Sequence, residues 1–84
     1  MKARVTVYPR KEILDPQGKA IRGALERSGF AEVREVRAGK SFEIDFGVDD
    51  AQAAGEKLAA MCEKLLANTV VEEYRIELLG GDPA

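Results

Sequence analysis

Apolar and polar residues alternate in several stretches of this chain, and this two-residue period of a half-buried β-strand constrains the fold more than any other feature. The alternation is clearest at residues 41–48, where four apolar side chains share one side: Phe42, Ile44, Phe46 and Val48. It also runs through residues 2–8 and through residues 70–79, where both faces carry apolar residues. These three stretches are predicted strands.

Residues 32–38 form the least regular of the predicted strands. Val33 and Val36 are three residues apart, which places them on opposite faces of a regular strand. We therefore predict a strand with a bulge or a strong twist. Gly39 and Lys40 then leave room only for a tight hairpin turn before the next strand.

Two amphipathic helices complete the pattern. Asp15 and the proline after it predict a helix start, because the carboxylate accepts N–H groups of the first turn and proline fits the first helical position. This helix is predicted to span residues 16–28 and to end at Gly29, a suitable left-handed cap. Asp49 or Asp50 caps the second helix. Its predicted buried stripe is Ala51, Ala54, Leu58, Met61 and Leu65.

The element order is therefore β-α-β-β-α-β, in a single domain over residues 1–79 with a frayed tail at residues 80–84. The expected fold is an α+β two-layer sandwich, with a four-stranded antiparallel sheet and both helices on one face. The chain has only 84 residues. At this size the cost of ordering the chain nearly cancels the gain from apolar burial, so we expect at least a dimer.

The composition excludes several kinds of chemistry. The chain has no histidine and one cysteine, so it holds no Ser-His or Cys-His pair and no His-containing or thiolate metal site. A single cysteine fits a reducing cytosol. No run approaches the roughly 18 apolar residues of a membrane span, and the N-terminus lacks the apolar stretch of a signal peptide. We expect a cytoplasmic protein without membrane partners.

Two local patterns resemble ligand sites but have simpler explanations. Gly39-Lys40-Ser41 looks like the end of a phosphate loop, yet Arg34 stands where that pattern needs glycine, and a strand follows instead of a helix.

The aromatic residues of the predicted strand at residues 41–48 suggest an RNA-recognition domain. They share a face with other apolar residues, however, and the opposite face carries Glu43 and Asp45, which would repel phosphate. Nucleic acid is not an expected partner.

The remaining reactive groups are assigned structural roles. Cys62 has no histidine to activate it and is expected to be a packed thiol. The pair Glu72-Glu73 points to opposite faces of a strand and cannot chelate one ion. We predict no catalytic, cofactor-binding or metal-ligating residue.

Basic side chains are in excess before residue 41 and acidic ones after it. This asymmetry fits either cross-strand pairing within the sheet or a complementary surface for another subunit.

Three segments stand in a characteristic order and spacing: ILDPQGKAI at residues 13–21, VRAGK at residues 36–40, and MCEKLLANTVVEEY at residues 61–74. Together they resemble the PurS family, the small subunit of phosphoribosylformylglycinamidine synthase (FGAM synthase). The resemblance covers nearly the whole chain. Thr69 departs from it, because proline is common there in the family, but threonine can also begin a strand.

The resemblance implies a non-catalytic subunit of a ligase in de novo purine biosynthesis. That enzyme converts formylglycinamide ribonucleotide, glutamine and ATP into formylglycinamidine ribonucleotide. The subunit would form a homodimer or tetramer, bridge the glutaminase subunit (PurQ) and the large synthetase subunit (PurL), and support ammonia transfer between them. ATP and Mg are expected on the synthetase subunit, and no cofactor is expected in this chain.

Candidate subunit-contact residues are Gln17, Gly18 and Lys40. The first two lie in the segment after the first strand without an evident core role, and Lys40 lies on the predicted hairpin. Two other functions stay open at this point. One is an ACT-like regulatory domain that binds an amino acid, since ACT domains share this element order and dimerise. The other is a stand-alone enzyme that uses carboxylates.

Overall fold

The computed structural model describes residues 1–79. It contains one antiparallel sheet, in which the first strand lies between the other two. The strands are β1 (Lys2–Pro9), β2 (Lys40–Asp45) and β3 (Glu72–Leu78). The helices are α1 (Pro16–Arg27) and α2 (Ala51–Met61), and a π-helical turn (Cys62–Leu66) continues α2.

The core lies between one face of the sheet and α2. Val5 at the centre of β1 is opposite Phe42 of β2 and Ile76 of β3, so the alternation of all three strands brings apolar side chains to the same face. Leu58 of α2 and Cys62 of the π-helical turn are fully buried against this face. Complete burial of a side chain such as Leu58 contributes about 1.5–3 kcal/mol.

The sheet of residues 1–79 has three strands, so the prediction of four was wrong. Residues 32–38 do not pair with any strand. In a regular strand, the three-residue spacing of Val33 and Val36 would place only one of them on the core face of the sheet. In addition, the backbone N–H of Ala38 donates to Oδ2 of Asp15 at 2.9 Å, so it is not available to a neighbouring strand.

The predicted hairpin at Gly39-Lys40 is also absent, because no strand precedes it. Gly39 instead lies directly beside the end of β1. A Cβ atom at this position would collide with the carbonyl oxygen of Val7 and lie 3.1 Å from Cβ of Tyr8. Glycine is therefore required here by close approach to the backbone of β1.

α2 follows its predicted stripe only in the middle. Ala54, Leu58 and Cys62 are buried at four-residue spacing, whereas Ala51 at one end of the predicted stripe is exposed. Leu65 at the other end is 83% exposed. The π-helical turn explains the change at Leu65, since its wider i→i+5 spacing rotates later residues away from the α-helical face.

The predicted limits of α1 agree with the structure to within one residue. Gly29 adopts a φ of +103°, which confirms the predicted left-handed end. Asp15 stands at the N-cap, but its side chain makes no capping hydrogen bond. Asp50 does cap α2, where Oδ2 accepts from the N–H of Ala53 at 2.8 Å.

α1 does not share the sheet face with α2, contrary to the predicted layer of two helices. Gly18 is its one buried residue, and Ile21 on its apolar side is 38% exposed. Leu14 before the helix is 71% exposed and Phe30 after it is 50% exposed. The radius of gyration is 16.1 Å, against about 12 Å for a compact chain of this length. The elongated shape follows from this uncovered helix.

None of the helices within residues 1–79 has the length and apolar character needed to cross a membrane. The predicted frayed tail at residues 80–84 lies outside the described residues. The single domain over residues 1–79 stays a prediction.

Candidate interaction surface

The described part of the chain, residues 1–79, contains no cluster of three side chains suited to hold a metal ion. Two side chains near the core, Cys62 and Tyr74, have a raised pKa, and both serve to hold the fold. Burial raises the pKa of the Cys62 thiol, and the Glu63 carboxylate adds to this effect, so the thiol stays protonated. The hydroxyl of Tyr74 donates to Oε2 of Glu63 at 2.9 Å, which raises the pKa of Tyr74 and ties β3 to the π-helical turn.

The start of α1 is held against the segment that precedes β2. A Cβ atom at Gly18 would collide with the carbonyl oxygen of Val36 and lie 2.6 Å from Oδ2 of Asp15. The N–H of Ala38 lowers the pKa of Asp15 most, and the N–H groups of Gly18 and Gln17 lower it further. Gly18 therefore has an internal role that the sequence did not reveal, since only glycine allows this close approach.

The three predicted contact residues lie in different settings. Gln17 is exposed in the first turn of α1, Gly18 is buried behind it, and Lys40 is exposed where β2 begins. Gly18 lines a shallow depression of about 250 Å³, and Lys40 lines a larger concavity of about 610 Å³. Arg37 lines both, so the two depressions adjoin each other.

The outer face of the sheet carries charged side chains in cross-strand register. Arg4 of β1 lies between Glu43 of β2 and Glu77 of β3, with nitrogen-to-oxygen distances of 3.5 Å and 3.4 Å. These are solvated ion pairs, worth at most about 1 kcal/mol each. For Arg4 the charge asymmetry of the sequence is thus explained by pairing within the sheet.

A cationic cluster, formed by Tyr8, Arg37 and Arg75, lies further along the same face. The guanidinium carbon of Arg37 is 5.0 Å from the centre of the Tyr8 ring, and that of Arg75 is 6.0 Å from it. Sequence analysis missed this cluster. The alternation places Tyr8 and Arg75 on polar faces of their strands, but residues 32–38 were expected to form a strand, which gave no reason to bring Arg37 over Tyr8.

Comparison with known proteins decides the family. The PurS family model, described as phosphoribosylformylglycinamidine (FGAM) synthase, matches residues 2–80. The chain belongs to the PurS family. This confirms the resemblance found in the three sequence segments. The chain is therefore a subunit of phosphoribosylformylglycinamidine synthase, an enzyme of purine biosynthesis.

Two curated relatives in this family are similar over about nine tenths of their length. Subunit PurS of phosphoribosylformylglycinamidine synthase from Mycobacterium leprae is 52% identical over 77 residues, which cover 89% of this chain and 91% of the relative. The corresponding subunit from Bacillus subtilis is 43% identical over 77 residues, covering 92% and 90%.

Solved PurS structures have the same fold. PurS from Methanocaldococcus jannaschii matches with a TM-score of 0.83 at 34% identity, covering 96% of this chain and 98% of that one. A chain of PurLQS from Thermotoga maritima matches with a TM-score of 0.81 at 35% identity, covering 92% and 95%. Membership in the family favours the synthase subunit over the amino-acid-binding regulatory domain.

Proposed function

We propose that this chain is a non-catalytic assembly subunit that bridges a glutaminase subunit, PurQ, and a synthetase subunit, PurL. The observation that carries this proposal is the family match over residues 2–80, together with the similarity to a chain of PurLQS from Thermotoga maritima. The structure supports a non-catalytic role. Within residues 1–79 the pKa is shifted for Asp15, Cys62 and Tyr74, and contacts that hold the fold explain all three shifts.

A bridging subunit contributes to the reaction through geometry. Glutamine hydrolysis releases ammonia at one active site, and the amide of formylglycinamide ribonucleotide is activated at another. Holding the two sites in fixed register raises the effective concentration of ammonia at the second site before it escapes or is protonated. In this proposal ATP and Mg bind the synthetase subunit, this chain holds no cofactor, and the complex works in the cytoplasm.

The bridging unit in this proposal is a homodimer or tetramer. α1 supports this, because Ile21 on the helix and its neighbours Leu14 and Phe30 leave apolar surface in water. The radius of gyration, 16.1 Å against about 12 Å for a compact chain, also supports it, since a second copy beside α1 would restore compactness. Such contacts supply the apolar burial that a short chain lacks.

Gln17 and Lys40 are the proposed contacts with the other subunits. Both are exposed, and neither side chain takes part in a hydrogen bond or ion pair within residues 1–79. Gly18 serves the same contact indirectly, because its close packing on Val36 sets the position of the first turn that carries Gln17.

The test is reconstitution with PurL- and PurQ-type subunits from the same organism. Formation of formylglycinamidine ribonucleotide is measured with glutamine and, separately, with ammonium chloride as the nitrogen source. We expect glutamine-dependent activity to require this chain and ammonia-dependent activity to require it much less, since added ammonia does not need the bridge. Gln17→Ala and Lys40→Glu should each lower the glutamine-dependent rate.

The matched control is Lys57→Glu, which makes the same charge reversal at an exposed position of α2. It should leave both rates unchanged. Equal glutamine-dependent activity with and without the chain would refute the bridging function. Full activity of both Gln17→Ala and Lys40→Glu, with the chain still required, would refute only the assignment of contacts.

A further inference from the structure

We propose that the concavity beside Tyr8 binds a compact dianion, namely the phosphate group of a small phosphate monoester. The argument for this site does not rest on the proposed bridging function, although Lys40 lines the concavity and is also a proposed subunit contact. The concavity has a volume of about 610 Å³ and opens on the outer face of the sheet. That volume falls within the range of about 300–1,000 Å³ typical of small-molecule sites.

Two guanidinium groups lie at this site, and a hydrogen bond holds one of them, that of Arg37, in place. Arg37 and Arg75 both lie near the Tyr8 ring, at 5.0 Å and 6.0 Å from its centre. Nη1 of Arg37 also donates to the carbonyl oxygen of Pro9 at 3.2 Å, which fixes one edge of its guanidinium. A guanidinium positioned in this way loses little freedom on binding, and its planar donors match a phosphate group.

The basic side chains that line the concavity outnumber its carboxylates. Arg37, Lys40 and Arg75 line the concavity with one carboxylate, Glu35. Within residues 1–79 none of the three basic side chains forms an ion pair. Arg4 on the same face differs, because it is paired with carboxylates on both sides. The concavity therefore attracts an anion, whereas the surface around Arg4 does not.

Hydroxyl groups supply further donors at the floor of the site. Thr6 of β1 lies in register between Ser41 of β2 and Arg75 of β3, and all three line the concavity. These hydroxyls stand beside the guanidinium groups, which is the mixture of neutral and charged donors that a phosphate with several acceptor oxygens requires.

The surroundings favour a small ligand over a long polyanion. Glu43, Glu73 and Glu77 lie on the same face of the sheet, next to the cationic cluster. A nucleic acid chain that reached the site would have to pass over these carboxylates, whereas a single phosphate group would not. We therefore assign the ligand to phosphate monoesters rather than to nucleic acid.

The experiment is a titration of the full chain with ribose 5-phosphate at constant ionic strength, followed by calorimetry and by NMR of backbone amides. Inorganic phosphate and neutral ribose are titrated in parallel. We expect both phosphates to bind and to shift the amides of β1 and β2 around Thr6 and Ser41. Arg37→Gln and Arg75→Gln should each weaken binding about tenfold, as expected for the loss of one charge-assisted hydrogen bond.

Two further variants distinguish a specific binding site from nonspecific attraction of anions to basic side chains. Glu35→Gln removes the one carboxylate and should tighten binding severalfold, which a merely destabilised variant would not do. Arg27→Gln is the matched control, since it removes the same charge at the end of α1 and does not line the concavity. Ribose binding as tight as ribose 5-phosphate, equal weakening by Arg27→Gln, or no binding at all would each overturn the proposal.

Discussion

The helices α1 and α2 both have apolar residues at helical spacing, yet their surroundings differ. α2 buries Ala54 and Leu58 completely, and its continuation buries Cys62 against β1. α1 buries only Gly18, at its first turn, and leaves Ile21 partly in water. An amphipathic pattern thus shows that a helix has an apolar side, but it does not show which surface covers that side.

The difference arises from how each helix is attached. α2 packs against the sheet through the buried side chains in its middle, and Leu58 completes the core with the buried residues of β1. α1 is attached near its N-terminus, where Asp15 binds the N–H of Ala38 and Gly18 lies against Val36. The predictions below test this contrast between a helix that forms the core and a helix that offers a surface.

The largest expected effect separates the two apolar sides. Leu58→Ala should lower the free energy of unfolding by about 2–5 kcal/mol, because it removes a fully buried side chain and leaves a cavity. Ile21→Lys should change it by less than about 1 kcal/mol, because that side chain is partly exposed. Urea denaturation at a concentration where the chain is monomeric measures both values.

The same variants should behave in the opposite way in assembly. Ile21→Lys should shift the mass measured by light scattering toward the monomer, because it places a charge on the apolar side of α1. Leu58→Ala should keep the wild-type mass under conditions where it is folded. If Ile21→Lys kept the wild-type oligomer, α1 would not be the surface that joins the copies.

The same contrast decides how much of the structure the sequence could predict. Alternation in β1 and β2 was sufficient to predict the core face, because a two-residue period leaves one choice of inward side chains. The predicted strand at residues 70–79 has apolar residues on both faces, so the core face of β3 follows only from its pairing with β1. The failed prediction at residues 32–38 arose from long-range contacts. Neither the bond from Ala38 to Asp15 nor the approach of Gly39 to Val7 has a signal in local periodicity.

The candidate sites show the same limit. The segments 13–21, 36–40 and 61–74 were sufficient to predict the family. Gln17 and Lys40 were predicted to be contacts and are exposed, but their roles stay predictions. The cationic cluster could not be predicted, because Tyr8, Arg37 and Arg75 come from three distant parts of the chain and one of them follows no periodic pattern.

A smaller effect tests the attachment of α1. Gly18→Ala should destabilise the chain by about 1–3 kcal/mol, because the new Cβ atom would collide with the carbonyl oxygen of Val36. Gly23→Ala is the matched control in the same helix. Its Cβ would meet only Nη1 of Arg27, at 3.3 Å on a flexible side chain, so higher helix propensity should stabilise it by about 0.5–1 kcal/mol. A stabilising effect of both substitutions in thermal denaturation would contradict the close approach.

The smallest effect concerns the charge that holds the first turn of α1. The hydrogen bond from the N–H of Ala38 lowers the pKa of Asp15 below its ordinary value of 3.8, and the nearby N–H groups of Gly18 and Gln17 lower it further. The folded state therefore favours the ionised carboxylate, and this stabilisation is present above pH 3.8 and is lost as the pH falls through the lower, folded-state pKa.

Asp15→Asn keeps an acceptor oxygen without the charge. The melting temperature of this variant should consequently fall less steeply than that of the wild type in acid below about pH 4. Asp49→Asn is the control, since it removes a charge from an exposed carboxylate that makes no hydrogen bond in the described residues. If both variants followed the same acid profile, the Asp15 carboxylate would not be what ties α1 to the segment before β2.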